Sequence, residues 1–435
     1  MSNKTVYLGM NLDILHHGHI NIISEAAKYG DVIIGLLTDR AIANFKRLPY
    51  LKYDQRLQII KSINGVKKVV KQDEWDYSFN LIKYKPDFMI HGDDWLSGPM
   101  RPYRKLAIQA LETYGGKLIE IPYTKGVSSS AVLREVLSLG VTSEVRKGTL
   151  KRLLECKKYI TILETHSPIS AIIAEKASII TSDGRQREFD GFWSSSLTDS
   201  TEMGKPDNEA LDISKRLSNI NNIFDVTTKP LIMDADTGGK IEHFELNVRS
   251  MERLGISAVI IEDKKGLKRN SLLGNDVIQH QEEINVFCEK ITKAVVGRLS
   301  EDFMIISRIE SFIMEKGIED ALNRAHAYVE AGSDAIMIHS RKDNPSEIFE
   351  FSNLFKKEHA DIPLVCVPTS FNKTKEHELA SHGFNIVIYA NHLLRASYPA
   401  MRDVAKEILT HQRSYESDQS LISINEILRL IPGTN

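Results

Sequence analysis

Short apolar runs alternate with amphipathic stretches through residues 1–140. TVYLGM, DVIIGLL, KKVVK, DFMIHG and KLIEIPY have the length and near-continuous hydrophobicity of strands buried on both faces. Residues 20–29, 54–63 and 103–114 carry helical spacing between them, and 128–137 reads as a last helix. Strands alternating with helices predict an α/β domain, Rossmann-like, whose parallel sheet is covered on both sides.

Residues 143–158 are charged and helix-prone, and 141–157 are expected to link this domain to a second one at 158–435. There the alternation restarts with YITILE, SIIT, PLIMDAD, AVIIED, FMIISRIES, AIMIHS, PLVCVP and IVIYAN. Eight strand candidates over about 240 residues, most followed by a helical pattern, fit a (β/α)8 barrel. Asp234, Asp236, Glu262, Arg308, Glu310 and His339 fall at the ends of these runs. A barrel builds its active site at the C-terminal mouth of its strands, so this placement predicts an enzyme, while the fold leaves the reaction open.

At 435 residues two domains are the natural expectation, and 42% hydrophobic with 26% charged residues supplies two cores. A formal charge of −2 gives no reason to expect nucleic acid or an anionic membrane as partner. Anionic substrates must then be held by local groups. Cys156, Cys288 and Cys366 lie far apart with no CxxC pair, so neither a disulfide framework nor a zinc knuckle is indicated. Neither a signal-peptide pattern nor an apolar run of about 20 residues is present, and a cytoplasmic enzyme is expected.

Within MDADTGG, residues two apart on a strand share a face, so Asp234 and Asp236 can project together into the mouth. Adjacent carboxylates suit a hard divalent cation such as Mg2+; two helix caps or a solvated turn would produce the same string. Glu262 ends a strand and can join them. The cationic stretch from Lys264 to Ser271 could close over an anionic substrate and exclude water, or be a solvated loop. Ser194, Ser195 and Ser196, after Trp193, offer hydroxyl and N–H donors for a phosphoryl group. A lone histidine or tryptophan is usually a core residue, but polar elements at successive strand ends do not fit that explanation as a set.

These strings carry a resemblance. Residues 155–413 resemble the phosphoenolpyruvate mutase branch of the isocitrate lyase superfamily, through WSSSL at 193–197, Asp207 in KPDNE, Asp234 and Asp236, EDK at 262–264, KRNS at 268–271, SRIE at 307–310 and His339. The resemblance implies that Asp234, Asp236 and Glu262 surround Mg2+ bound to the carboxylate and enol oxygens of phosphoenolpyruvate. Ser195, Ser196, Asn270 and Arg308 would hold the phosphoryl group, with Trp193, Leu197 and His339 lining the cavity. Asp207 would sit near the migrating group, Lys268 would belong to the gating loop, and Ser271 would bind the substrate. The implied reaction moves the phosphoryl group to C3, giving phosphonopyruvate. Lyases of the superfamily carry a cysteine in this loop, which KRNS lacks. The related phosphonopyruvate hydrolases tend to have threonine where Asn270 stands, and a hydrolase is the alternative reading.

In the first domain DILHHGH follows a strand and precedes a helix. His16 and His19, three apart, can share a face, Gly18 permits close approach, and a helix N-terminus favours an anion. Incidental histidines at a helix start are the plain alternative. Residues 4–137 resemble cytidylyltransferase-like nucleotidyltransferases, with Lys46, YDQR at 53–56, GDDW at 92–95 and GVSSS at 126–130 in support. The resemblance gives His16, His19 and Lys46 catalytic roles and assigns Asp13, Gly18, Arg56, Asp94, Trp95, Ser128, Ser129 and Ser130 to the nucleotide. Two strings depart from the family: its GTFD reads MNLD here, and its RTxGIST reads YTKGVSS.

Together the two resemblances imply phosphonate biosynthesis, with CTP and a small phosphonate as substrates of the first domain and a downstream decarboxylase as pathway partner. A nucleotide-sensing module and an adenylyltransferase remain alternatives for that domain. A homo-oligomer, dimer or tetramer, is expected by analogy with related barrels.

Overall fold

A computed structural model describes residues 4–96, 100–122, 124, 140–266 and 268–431. The first unit is a five-stranded sheet in the order β3-β2-β1-β4-β5, from β1 (Thr5–Met10), β2 (Asp31–Leu37), β3 (Val66–Gln72), β4 (Phe88–Gly92) and β5 (Lys117–Ile121). Every pairing is parallel. Its helices are α1 (His17–Ala27), α2 (Asp39–Ala43), α3 (Tyr53–Lys61), α4 (Ser78–Tyr84) and α5 (Arg101–Glu112). Alternate residues of β1 feed two separate cores. Val6, Leu8 and Met10 pack with Ile23 of α1 and Ile60 of α3, while Tyr7 packs with Leu81 of α4 and Ala107 of α5. The order reverses between β1 and β4, the switch point where such sheets bind ligands.

Residues 143–156, read from sequence as part of a linker, form α6 (Ser143–Cys156). Its Leu150 and Leu153 pack among the inward residues of the second unit, including Ile160, Met304 and Ala335 near the strand starts. Arg146 of α6 is buried and donates to the carbonyls of Phe224, Thr227 and Lys229. The helix therefore floors the barrel.

The barrel closes through eight strands in the order β10-β11-β14-β15-β16-β17-β6-β9. They are β6 (Ile160–Glu164), β9 (Gly191–Ser194), β10 (Leu231–Asp234), β11 (Ala258–Glu262), β14 (Met304–Ile309), β15 (Ala335–Ile338), β16 (Leu364–Cys366) and β17 (Phe384–Tyr389). The helix α7 (Pro168–Lys176) follows β6. One expected strand is displaced. SIIT lies outside the barrel wall: β7 (Ser178–Ile180) pairs antiparallel with β8 (Gln186–Glu188) in a hairpin, with Ile179 and Ile180 exposed. The second wall strand is β9, four residues long and ending in serine, too short and polar to stand out as an apolar run. A further antiparallel pair, β12 (Lys264–Lys265) with β13 (His280–Gln281), shapes the loop after β11. Among the described residues, no helix is long and apolar enough to cross a membrane.

Candidate active sites

The barrel mouth gathers nearly every residue singled out there. Trp193, Ser195, Ser196 and Leu197 reach it from β9 and the turn beyond. Gly191 allows this close packing: a Cβ there would stand 2.7 Å from the Pro230 carbonyl oxygen and 2.9 Å from Ile162. Asp234 ends β10, and Ser196 donates to it at 3.0 Å. Asp236 arrives differently from the strand argument. The strand stops at Asp234, and Asp236 takes a left-handed turn with φ +56°, its backbone N–H donating to the Asp234 carboxylate at 3.1 Å. Glu262 ends β11, Arg308 lies in β14 and His339 follows β15.

The loop after β11 is folded over these groups. Lys268 donates to Ser196, Asp207 and Asp236, and Asn270 donates to Asp207 at 2.7 Å. Ser271 donates to Glu310 at 2.6 Å and accepts from Lys264 and Arg308, each at 2.6 Å. About 60 Å3 stays free inside, well below the roughly 300 Å3 at which ligand pockets begin.

Electrostatics follow from this crowding. Burial pushes Glu262 up to about 7, with Lys264 and Arg308 offsetting only part. Burial also raises Asp236 against the pull of Lys268, whereas at Asp234 the cations Lys268, Arg308 and Arg216 outweigh burial and hold it low. Burial would lower Lys268, but Asp236, Asp234 and Glu262 raise it well above the ordinary lysine range. His339 is held down by burial and then by Arg308. Its Nδ1 lies 2.9 Å from Arg308 Nη2, which can only donate, and 3.5 Å from Glu310. The shorter contact makes Nδ1 an acceptor and places the proton on Nε2.

Arg216 is a member that the sequence argument did not name. It is buried, pairs with Asp199 at 2.9 Å and reaches Asp236 at 3.4 Å. It shares a helix face with Ile220 and Ile223. A cation at spacings of four and seven from apolar residues was the available signal. Thr369 and Asn391, beyond β16 and β17, also line the mouth.

The second site lies at the switch point of the first sheet, a cleft of about 300 Å3. His16, Gly18 and His19 line it from the start of α1, and His91 and Asp94 from the end of β4. The helix begins earlier than the apolar pattern suggested, with His16 as N-cap. The His19 ring accepts the His16 backbone N–H at 3.3 Å, doing what a glutamate usually does three residues into a helix. The two rings lie 3.9 Å apart. Burial, then His16 and Lys46, push His19 down to about 4, so it is neutral at pH 7. Lys46 is lowered by burial with Asp13 opposing, and lies 5.6 Å over the Trp75 ring.

Three residues assigned to the nucleotide are turned away from this cleft. Trp95 is fully buried, bonds Glu120 and stacks under His91 with centroids 3.7 Å apart. It stands behind His91, which lines the cleft. Arg56, also fully buried, donates to the carbonyls of Asn11, Leu37 and Leu51 and to Asp39. Asp13 is buried and accepts the Leu51 N–H. His91 was missed because a single histidine at a strand end has no spacing partner. Ser128, Ser129 and Ser130, with the helix expected at 128–137, lie outside the described residues.

A closed parallel barrel with clustered carboxylates at its mouth, joined to a switch-point sheet with paired histidines, defines a two-part α/β chain with two candidate active sites. Residues 150–409 match the family described as phosphoenolpyruvate phosphomutase, and residues 7–135 match the cytidylyltransferase-like family. The chain belongs to the phosphoenolpyruvate phosphomutase family. The phosphoenolpyruvate phosphomutase of Tetrahymena pyriformis is 34% identical over 66% of this chain and 92% of its own length. The phosphonopyruvate hydrolase of Variovorax sp. is 35% identical over 66% and 94%. A crystal structure of the phosphomutase from Streptomyces platensis subsp. rosaceus aligns with a TM-score of 0.60 at 31% identity, covering 67% of this chain and 95% of that one. A phosphonopyruvate hydrolase complex with oxalate and Mg++ gives 0.58 at 32%, with the same coverage.

Proposed function

We propose that the barrel isomerises phosphoenolpyruvate to phosphonopyruvate and that the first domain transfers CMP from CTP to a small phosphonate. The observation that carries the first half is the loop folded over the mouth. Lys268, Asn270 and Ser271 are all engaged inside it, and among the described residues no thiol lines the cavity. That lining suits retention of a reactive phosphoryl group and lacks the acid–base cysteine of the lyases.

The residues fit a hard divalent cation. Both carboxylate oxygens of Glu262 are buried without a hydrogen-bond partner at the end of β11, the strand next to the one that Asp234 ends and Asp236 follows. Together the three supply oxygen ligands of the kind Mg2+ takes. Mg2+ would supply positive charge to the carboxylate and enolate oxygens of the substrate. Arg308 and the Ser195–Ser196 turn would hold the phosphoryl oxygens, and the loop would keep water away. The O–P bond breaks, the enolate electron pair forms the C3–P bond, and no net proton or redox change is involved.

At the first domain, His16 and His19 at the helix N-terminus would hydrogen-bond the phosphates of CTP as neutral rings, and Lys46 would stabilise charge at the α-phosphorus. A decarboxylase acting on phosphonopyruvate would draw the unfavourable isomerisation forward. A dimer or tetramer in the cytoplasm is part of the same proposal.

Phosphonopyruvate incubated with enzyme and Mg2+, followed by 31P NMR, tests the barrel. Phosphoenolpyruvate should appear and chelation should stop it; inorganic phosphate as the main product would make the barrel a hydrolase. Pyrophosphate release from CTP with a panel of phosphonates tests the first domain. CTP binding without release would make it a sensor.

A further inference from the structure

We infer that the floor of the barrel is a positioning platform for Lys46, making the second unit a structural part of the nucleotidyl-transfer site. Lys46 sits in the irregular segment between α2 and α3, and the residues on both sides of it are bound to the barrel. The Phe45 carbonyl accepts the Gln186 N–H of β8 at 3.0 Å. Arg47 donates to Glu175 of α7 at 3.1 Å and to Thr228, just before β10, at 2.6 Å. Leu48 is buried in the cluster that holds Leu150 and Leu153 of α6. Arg152 of α6 then donates to the Pro49 carbonyl at 3.1 Å.

The segment therefore faces two ways. Leu48 and the Arg47 side chain are seated on the barrel, while Phe45 and Lys46 turn back to Trp75 within their own domain. Asp39, which opens α2, is shared: Arg56 of the first domain holds one carboxylate oxygen at 2.6 Å and Arg152 reaches the other at 3.4 Å. Fixing an irregular segment costs roughly 1–2 kcal/mol per residue in backbone entropy. A group that must meet transition-state charge tolerates about 0.5 Å of misplacement. Internal ties to the segment are the Phe45 ring packed on Trp75 at 4.3 Å, the Phe45 and Lys46 N–H groups on the Ile42 carbonyl, Leu51 to Asp13 and Arg56, and Trp75 to the Ala41 carbonyl. The barrel contacts provide the rest of the ordering, and Arg47, Arg152 and Glu175 are positioning residues.

This rests on the reading of Lys46 as a group acting in nucleotidyl transfer, and the test separates the two. In the full-length enzyme, R152A and E175Q are compared with the parent by hydrogen exchange over 44–52, pyrophosphate release and mutase turnover. Neither residue lies at the barrel mouth, so mutase turnover should persist and reports folding. Each variant should exchange about tenfold faster over 44–52 and lose about tenfold in kcat for pyrophosphate release, with KM for CTP within about twofold. Unchanged exchange in both variants, or faster exchange with undiminished release, overturns the platform. If the parent releases no pyrophosphate, the transfer reading fails by itself. The exchange ratio then decides alone: a value near one overturns the platform and about tenfold supports it.

Discussion

The Lys268 ammonium lies 2.8 Å from one oxygen of the Asp207 carboxylate, and Asn270 donates to the other at 2.7 Å. One carboxylate on the segment before helix 213–224 thus holds two residues of the gating loop. Asp207→Ala should release the loop. Amide exchange over 264–273 should rise, turnover should fall on the order of 10²-fold, and pyruvate with phosphate should grow as a share of product as water enters. Unaltered exchange across the loop would show that Asp207 does not latch it.

Arg308 presents a fork that binds Glu310, Ser271 and His339 at once. Lysine keeps the charge but cannot reproduce three directed donors. Arg308→Lys should therefore lose about 10²–10³ in kcat, in line with removing a preorganised donor, while the fold stays intact. Turnover within a few-fold of the parent would remove Arg308 from the phosphoryl site.

His19 makes a prediction about stability and pH. Its folded pKa, about 4, lies below the ordinary 6.5. Between those values the unfolded chain takes up a proton that the folded chain refuses. This contribution is therefore fully present above pH 6.5 and lost as pH falls toward 4. Thermal unfolding of His19→Asn should depend less steeply on pH across that window. Parallel profiles for the parent and the variant would contradict the burial of a neutral His19.

Arg146 tests the floor helix. Its guanidinium supplies donors to three buried carbonyls and stacks 4.0 Å from the Phe224 ring centroid. Arg146→Ala strands those acceptors and should cost roughly 3 kcal/mol in denaturant unfolding. A loss below about 1 kcal/mol would mean that water or a neighbour replaces it.

Much of this architecture was readable from spacing. The long apolar runs named the sheet of the first unit and seven of the eight wall strands, because buried parallel strands must be hydrophobic on both faces. The run SIIT misled because an apolar triplet can sit exposed in a hairpin, while Gly191–Ser194 earned its place in the wall through the absence of a side chain at Gly191. Asp234, Glu262 and His339 were legible because each stands at the end of a strand. Asp236 reaches the mouth through a left-handed turn that no alternation rule describes. Arg56 and Trp95 stand in strings typical of a nucleotide site, yet both are buried, since a motif records which residues recur and not which of them face the ligand. Arg216 depends on packing between a helix and the β9–β10 turns, which is set only after the chain has folded.

The first unit is seated on the end of the barrel where the strands begin, and the carboxylate mouth opens where they finish. A strand of about five residues spans roughly 16 Å, so the barrel wall separates the end on which the first unit sits from the mouth. The two clefts are accordingly built from separate sets of residues, one in each unit. Fusion fixes a one-to-one ratio of the two sites in every chain, whatever the expression level.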